Sequence, residues 1–145
     1  EIYTQPRAPF IATFLGAANL LDVHVAAVEA GGRRRFEIDT PGRAHSLVLS
    51  SEFAPGTAAE LVVRPEDLTL STHALPGVPN VIAGTVVRIS FLGGQVEYGI
   101  DIDGVLVKAL MHPAIELAPG QAVWLRIDAV RCTVFAKDRS RGRAE

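Results

Sequence analysis

Apolar and polar residues alternate along much of this 145-residue chain, with a period of two. The clearest case is the segment 95–103, in which every even-numbered residue is apolar and every odd-numbered residue is polar or glycine. Such alternation is typical of a strand with one buried face. Asp103-Gly104 then favours a tight turn, because both residue types accept positive φ angles, and apolar residues recur at every second position from Val105 to Ala109. The pattern predicts a β-hairpin over residues 95–109.

Shorter runs of the same kind recur along the chain, each bounded by Gly, Pro-Gly or Asp. They lie at Leu21/Val23/Val25, at Phe36/Ile38, at 61–63, at Val87/Ile89/Phe91 and at Val123/Leu125/Ile127. Many short strands at spacings of roughly 8–12 residues are typical of a β-barrel or a β-sandwich. The pattern predicts an all-β fold with one of these two architectures.

One segment near the start of the chain departs from the strand pattern. The first turn of a helix tolerates a proline such as Pro9, Phe10 and Phe14 are spaced four apart, and Gly16 is a common stop signal. The spacing predicts one short helix over residues 9–16, ahead of the strands.

The second half of the chain echoes the first. Asn19-Leu20-Leu21 matches Asn80-Val81-Ile82, Gly31-Gly32 matches Gly93-Gly94, 36–39 matches 98–101, and Ala54-Pro55-Gly56 matches Ala118-Pro119-Gly120. The order is the same and the offset drifts only slightly, which predicts two consecutive β units of similar structure. Because Gly-Gly and Pro-Gly are common turn dipeptides, the alternative is that turn composition alone produces the echo.

Length, charge and cysteine content exclude several classes of protein. The chain has room for one domain or two small packed lobes. A net charge of −2 gives no positive field to collect nucleic acid, and 6% aromatic residues leave few rings to stack on bases. Cys132 is the only cysteine, so no disulfide can form within the chain and a reducing compartment is favoured. No apolar run approaches the ~20 residues that span a bilayer, so we expect no direct membrane insertion.

The sequence carries no recognisable catalytic or metal site. A phosphate-binding loop ends in Gly-Lys-Ser/Thr, but neither Lys108 nor Lys137, the only lysines, follows a glycine. The four histidines are too far apart to set two ligands on one metal, and Ser50-Ser51 lacks the turn that exposes a nucleophile. Asp101 and Asp103 could share a cation or a proton, but carboxylates beside a turn more often face solvent. We predict no enzyme activity, no metal and no cofactor in this chain.

Several segments, in order along the chain, resemble the C-terminal part of ATP-binding subunits from ABC importers of the maltose, polyamine and ferric-ion group. Residues 1–6, 10–16 and 19–21 resemble the exit from the nucleotide-binding domain, and the sequence Val-Arg-Pro-Glu-Asp-Leu over 63–68 resembles the family's Arg-Pro-Glu strand end. Residues 80–86, 91–93, 120–123 and 132–135 resemble the family's TOBE module, a barrel of the oligonucleotide/oligosaccharide-binding (OB) type. The resemblance covers nearly the whole chain, and its order is more specific than any single motif.

The resemblance implies an OB-fold-like barrel and three parts of the chain. Residues 1–17 would be the tail of the nucleotide-binding domain with the linking helix, and residues 138–145 a flexible basic tail. Residues 18–137 would form the regulatory domain, with lobes over about 18–75 and 76–137. ATP and Mg²⁺ are expected only in the N-terminal portion of a longer parent. The sequence Leu-Gly-Gly-Gln over 92–95 resembles the end of the ABC signature motif, but the strand pattern continues after it, so we interpret it as a hairpin turn.

The resemblance also implies partners and a location. It implies a homodimer formed through this domain, contacts with the chain's own nucleotide-binding domain, and permease subunits at the cytoplasmic face of the plasma membrane. Residues 91–98 look closest to polyamine-type importers, which makes polyamine-type cargo an expectation. The alternative function is a small-ligand or oxyanion-binding β-barrel, as in molybdate-binding modules that the TOBE fold also resembles. A nucleic-acid-binding OB barrel is disfavoured by the charge.

Four residues are candidates for an interface or a regulatory contact, namely Arg64, Glu66, Phe91 and Tyr98. Arg64 and Glu66 flank Pro65, and two interpretations stay open for them. They form an ion pair between subunits or lobes, or they form a local salt-bridged turn where the proline ends a strand. Phe91 and Tyr98 bound the segment that resembles polyamine-type importers. Exposed edge strands offer a way for two copies to pair.

Overall fold

The structure is a computed structural model that describes residues 18–113 and 116–137. Its strands are β1 (Asn19–Glu29), β2 (Arg33–Ile38), β3 (His45–Ser50), β4 (Ala58–Val63), β5 (Leu68–Ser71), β6 (Val81–Phe91), β7 (Val96–Ile102), β8 (Val105–Met111), β9 (Ala122–Ile127) and β10 (Cys132–Ala136). Two short 3-10 helices, η1 (Pro65–Asp67) and η2 (Ala129–Arg131), precede β5 and β10. The all-β prediction is confirmed. The predicted helix over 9–16, the linker 1–17 and the basic tail 138–145 lie outside the described residues.

The described strands form two antiparallel sheets of five strands each. One sheet has the order β10-β4-β1-β2-β3 and the other has the order β5-β9-β6-β7-β8. The two orders become the same once β1 to β5 are matched to β6 to β10. The chain is therefore built from two similar β units, as the echo in the sequence predicts.

The last strand of each unit lies in the sheet of the other unit. β5 pairs with β9, where Leu70 lies opposite Leu125, and β10 pairs with β4, where Val134 lies opposite Leu61. A 3-10 helix carries the chain across each time. The sequence boundary near residue 75 thus separates two units of chain, while each sheet contains strands from both.

The register of the sheets shows which residues of the two units correspond. The first strand of each unit has a bulge, directly after Val25 in β1 and after Val86 in β6. Each of these valines accepts a backbone hydrogen bond from a Pro-Gly turn, from Gly56 at 2.8 Å and from Gly120 at 2.7 Å. The matching turns therefore reflect a repeated structure, and turn composition alone does not account for them.

One predicted correspondence is wrong by two positions. Val25 lies opposite Phe36, and Val86 lies opposite Ile100, so Phe36 corresponds to Ile100 and not to Tyr98. The reason is the longer second hairpin, whose paired residues 86 and 100 are 14 positions apart, against 11 positions for residues 25 and 36.

Both sheets bury their apolar faces in one continuous core. Phe36 and Leu61 from one sheet and Ile100 and Leu125 from the other are completely buried. Removing such apolar surface from water contributes about 25 cal/mol per Å², which makes burial the main stabilising term. The hairpin predicted over 95–109 is confirmed as β7 and β8, joined by Asp103 and Gly104 with φ angles of 48° and 100°.

Candidate interaction surface

Two asparagines hold the units together in a reciprocal way. Asn19, at the start of the first unit, donates from Nδ2 to the Lys108 carbonyl at 2.8 Å and accepts from the Lys108 amide at 2.8 Å. Asn80, just before β6, donates to the Val48 carbonyl at 3.1 Å and accepts from the Val48 amide at 2.8 Å. Both asparagines belong to the echo in the sequence, but the residues around them do not indicate these contacts. Their shared place at the start of each unit is the signal that could have identified them.

The asparagine contacts limit the pairing of further strands at two sheet edges, β3 and β8. β3 and β8 are edge strands, and antiparallel pairing directs both backbone groups of a residue the same way. The backbone groups of Val48 and Lys108 that point away from their sheets are therefore already bonded. Unpaired edge groups are what a second chain needs for strand addition. Pairing of two copies through the middle of β3 or β8 is thus blocked.

A second contact between the units joins their equivalent loops. His45 Nε2 lies 2.6 Å from Asp103 Oδ2, and only 11% of the His45 side chain is exposed. Arg43 Nε lies 3.7 Å from the same oxygen, and the Gly42 amide donates to the Asp103 carbonyl at 3.2 Å. The expectation that carboxylates at this turn face solvent is wrong for Asp103, because the loop before β3 covers it. The contact fixes the two units relative to each other.

Arg64 and Glu66 stand on either side of a buried proline at η1. Pro65 is buried, whereas Arg64 and Glu66 are exposed. Within the described residues neither side chain forms an ion pair, so the structure does not contain the local salt bridge of the second interpretation. Arg64 is the extended residue before η1, with φ −77° and ψ 144°, whereas Glu66 lies inside η1.

A groove opens beside η1, and we call it the Arg64 groove. Its volume is about 320 Å³, and it is lined by Ala18, Arg64, Pro65, Glu66, Leu92, Glu97 and Leu110. It lies where η1 of the first unit packs against β8 of the second unit. Leu92, on the β6–β7 hairpin, is 54% exposed. The groove therefore combines apolar surface with two carboxylates and one guanidinium.

The two aromatic candidates have different positions. Phe91, the last residue of β6, is 79% exposed and is available to a partner. Tyr98 is only 2% exposed, and its hydroxyl accepts a hydrogen bond from the Leu117 amide at 3.3 Å. Tyr98 thus holds the loop before β9 against β7 and presents almost no surface to a partner.

Two further polar features lie outside the Arg64 groove, at His24 and at Cys132. His24 lies between two carboxylates, 2.7 Å from Asp39 Oδ1 and 3.3 Å from Glu37 Oε1. Over residues 18–113 and 116–137, however, no three His, Cys, Asp or Glu side chains are grouped to hold a metal ion.

Burial, and then the charge of Asp128, raise the pKa of the Cys132 thiol from its ordinary value of 9.0 to about 11. This thiol stays protonated at neutral pH and is a poor nucleophile.

The sequence model of the TOBE domain matches residues 61–135, just over half of the chain. The chain belongs to the TOBE domain family. The match begins in β4 and ends in β10.

No helix in the described part of the chain is both long and apolar enough to cross a bilayer.

The relatives of this TOBE domain include proteins named as importer ATP-binding proteins. The chain is 33% identical over 132 residues to "Spermidine/putrescine import ATP-binding protein PotA 2" of Pseudomonas aeruginosa, covering 89% of the chain and 35% of that protein. It is 32% identical to PotA of Rubrobacter xylanophilus, covering 95% of the chain and 37% of that protein. It is 34% identical to "Fe(3+) ions import ATP-binding protein FbpC" of Rhizobium etli, covering 71% of the chain and 27% of that protein. The chain thus spans about a third of the length of these relatives.

A solved structure shares the fold. The cytoplasmic molybdate-binding protein ModG, crystallised with molybdate bound, superposes with a TM-score of 0.67 over 83% of this chain and 96% of its own chain. The sequence identity is 20%, so this likeness shows the fold alone. Together with the two matching sheets, it confirms the predicted OB-like fold of two similar β units.

Proposed function

We propose that this chain is the regulatory end of the ATP-binding subunit of an ABC importer, and that it acts by docking. One observation carries the proposal. The chain aligns over 89% and 95% of its length with importer ATP-binding proteins while covering only 35% and 37% of them. In this proposal the nucleotide-binding domain, with its ATP and Mg²⁺, occupies the remaining length of the parent. The whole subunit would work at the cytoplasmic face of the membrane, beside permease partners.

The arrangement of the described residues supports docking over chemistry. The units are joined by the asparagine contacts, by His45 with Asp103, and by the exchanged strands, so the domain presents surfaces of fixed shape. The Cys132 thiol is kept protonated by its raised pKa. A rigid body of this kind is suited to pair with a second copy and to keep two ATP-binding subunits together. We propose that homodimer as its main task.

The docking role is tested on the parent subunit. Sedimentation equilibrium would compare the intact subunit with a version lacking residues 18–137, both without nucleotide. We expect the intact subunit to be dimeric, and the shortened one to be monomeric while still binding ATP. An unchanged dimer after removal would show that the domain does not hold the subunits together. ATP binding by this chain alone would contradict the assignment of nucleotide binding to the remaining length of the parent.

We propose polyamine-type cargo for the parent transporter. The names of the relatives from Pseudomonas and Rubrobacter support this choice, and the Rhizobium relative supports ferric ions. Uptake of labelled putrescine and of ferric ion would be compared in cells with and without the parent gene. Loss of ferric-ion uptake alone would contradict the polyamine assignment.

The alternative, an oxyanion-binding barrel, has weaker support in the side chains. The likeness to ModG favours it at the level of the fold only. Each of four grooves in the described part of the chain carries at least one carboxylate. These are Glu52 in one, Glu116 in another, Glu66 with Glu97 in a third, and Glu66, Asp67 and Asp128 beside Arg126 and Arg131 in the fourth. A carboxylate repels a bound anion. Calorimetric titration with molybdate, sulfate and phosphate should therefore give no saturable heat, and saturable binding would reverse the preference.

A further inference from the structure

We propose that the Arg64 groove is the surface on which two copies of this chain meet. Arg64 of one copy pairs there with Glu66 of the other. This inference rests on the homodimer proposed above and names the residues that form it. The partner is a second copy of the same chain, related by a two-fold axis that passes close to Pro65.

The charges of the groove have no partner inside the described part of the chain. Arg64, Glu66 and Glu97 line it, and none of them forms an ion pair with a residue of 18–113 or 116–137. Elsewhere, Lys137 pairs with Asp22, and Arg131 pairs with Asp67 and Asp128. The groove thus offers both signs of charge to an incoming surface.

The spacing of the charges fits a two-fold contact of the chain with itself. In such a contact, residue i of one copy meets residue j of the other, and j meets i in return. Arg64 and Glu66 lie one position either side of Pro65, so an axis near Pro65 places each arginine opposite the glutamate of the other copy. The ion pair between Arg64 and Glu66 then forms twice, with the same geometry each time. Pro65 limits the backbone freedom of this segment, so the two side chains leave the backbone at a fixed spacing.

Apolar surface surrounds these charges. Leu92 and Leu110 line the groove, and Phe91, the residue before Leu92, is 79% exposed. Protein interfaces usually combine buried apolar side chains with hydrogen-bonding and charged groups, and the groove offers both. The middles of the β3 and β8 edges are blocked by Asn80 and Asn19, so strand pairing at those two edges does not compete with this side-chain surface.

The inference is tested by sedimentation equilibrium on the complete 145-residue chain. Arg64→Glu and Glu66→Arg each place like charges opposite one another, and each should weaken self-association on the order of tenfold or more. An equimolar mixture of the two variants restores opposite charges at both positions, so the mixture should dimerise while each variant alone does not. The double variant R64E/E66R should also dimerise. Arg33→Glu and Glu52→Arg, exposed charge reversals outside the groove, are the matched controls and should leave the mass unchanged.

Each outcome has a separate meaning. A wild-type chain that dimerises while both single variants still dimerise overturns the groove as the interface and leaves the homodimer standing. A wild-type chain that is monomeric up to about 1 mM, where even a weak complex would form, overturns the homodimer of this domain as well. Single variants with lower thermal stability and unchanged mass would show that the groove holds another part of the same chain, such as residues 1–17 that join at Ala18. That result overturns the proposal too. Circular dichroism of every variant separates misfolding from lost association.

Discussion

Asn19 bonds both backbone groups of Lys108, a residue 89 positions later in the chain. The side chain of Asn19 is an amide, which carries a donor and an acceptor side by side and so matches the amide and carbonyl of one strand residue. The contact closes part of an exposed edge and ties the start of one unit to the third strand of the other. Asn80 makes the same contact with Val48. The pair of contacts links each unit to the other at symmetric positions.

Asn19→Ala should lower the free energy of unfolding by about 2 kcal/mol, because two hydrogen bonds are lost and Lys108 keeps a desolvated amide and carbonyl. Urea denaturation followed by fluorescence of the single tryptophan gives the value. Ser46→Ala, at an exposed position of β3, is the control and should change stability by less than about 0.5 kcal/mol. Equal stability of N19A and wild type would contradict a holding role for Asn19.

Asp103→Ala should lower stability by about 2 kcal/mol for two reasons. It removes the partner of the nearly buried His45, and it places alanine at a φ of 48°, where a side chain is strained. Asp103→Asn keeps an oxygen for His45 and tolerates the positive φ, so its loss should be less than half as large. Thermal denaturation at neutral pH would rank the two variants. A larger loss of stability for Asp103→Asn than for Asp103→Ala would show that the interaction between His45 and Asp103 contributes little.

Cys132 should make the fold less stable at alkaline pH. Its pKa is raised to about 11 in the folded chain from an ordinary value of 9.0, so above pH 9 the unfolded chain loses the thiol proton while the folded chain keeps it. Stability from this group is therefore fully present below pH 9 and falls as pH rises to about 11. Denaturation midpoints measured across this range should fall more steeply for the wild type than for Cys132→Ala. Parallel curves would show that the thiol is not shielded.

Gly84→Ala should be poorly tolerated. A Cβ at this position would lie 2.6 Å from Ile100 Cγ2 and 3.0 Å from the Asp101 carbonyl oxygen, so β6 and β7 would have to move apart. Such overpacking costs about 1–3 kcal/mol. Gly94→Ala is the matched control, because a Cβ there meets nothing within 4 Å and the φ angle is not positive. Equal midpoints of urea denaturation for the two variants would show that the strands move apart easily.

The hairpin over 95–109 could be predicted because its signal is local. Alternating burial and a two-residue turn are both visible within 15 positions of sequence. The same alternation places Tyr98 on the buried face, so the sequence already contained the reason why this residue lies in the core. The interface interpretation of Tyr98 relied on resemblance alone.

The exchange of β5 and β10 could not be predicted in the same way. These strands have four and five residues, which is too short for alternation to specify a partner, and they pair with strands of the opposite unit. The roles of Asn19 and Asp103 were missed for a related reason. Their partners lie 89 and 58 positions away, and a single sequence carries no signal for contacts over such separations.

The crossing of β5 and β10 has a mechanical consequence. Each unit contains a strand hydrogen-bonded into the other sheet, so moving one unit also displaces part of the second. Separating the units, or rotating one against the other, would therefore require breaking the backbone hydrogen bonds of β5 with β9 or of β10 with β4.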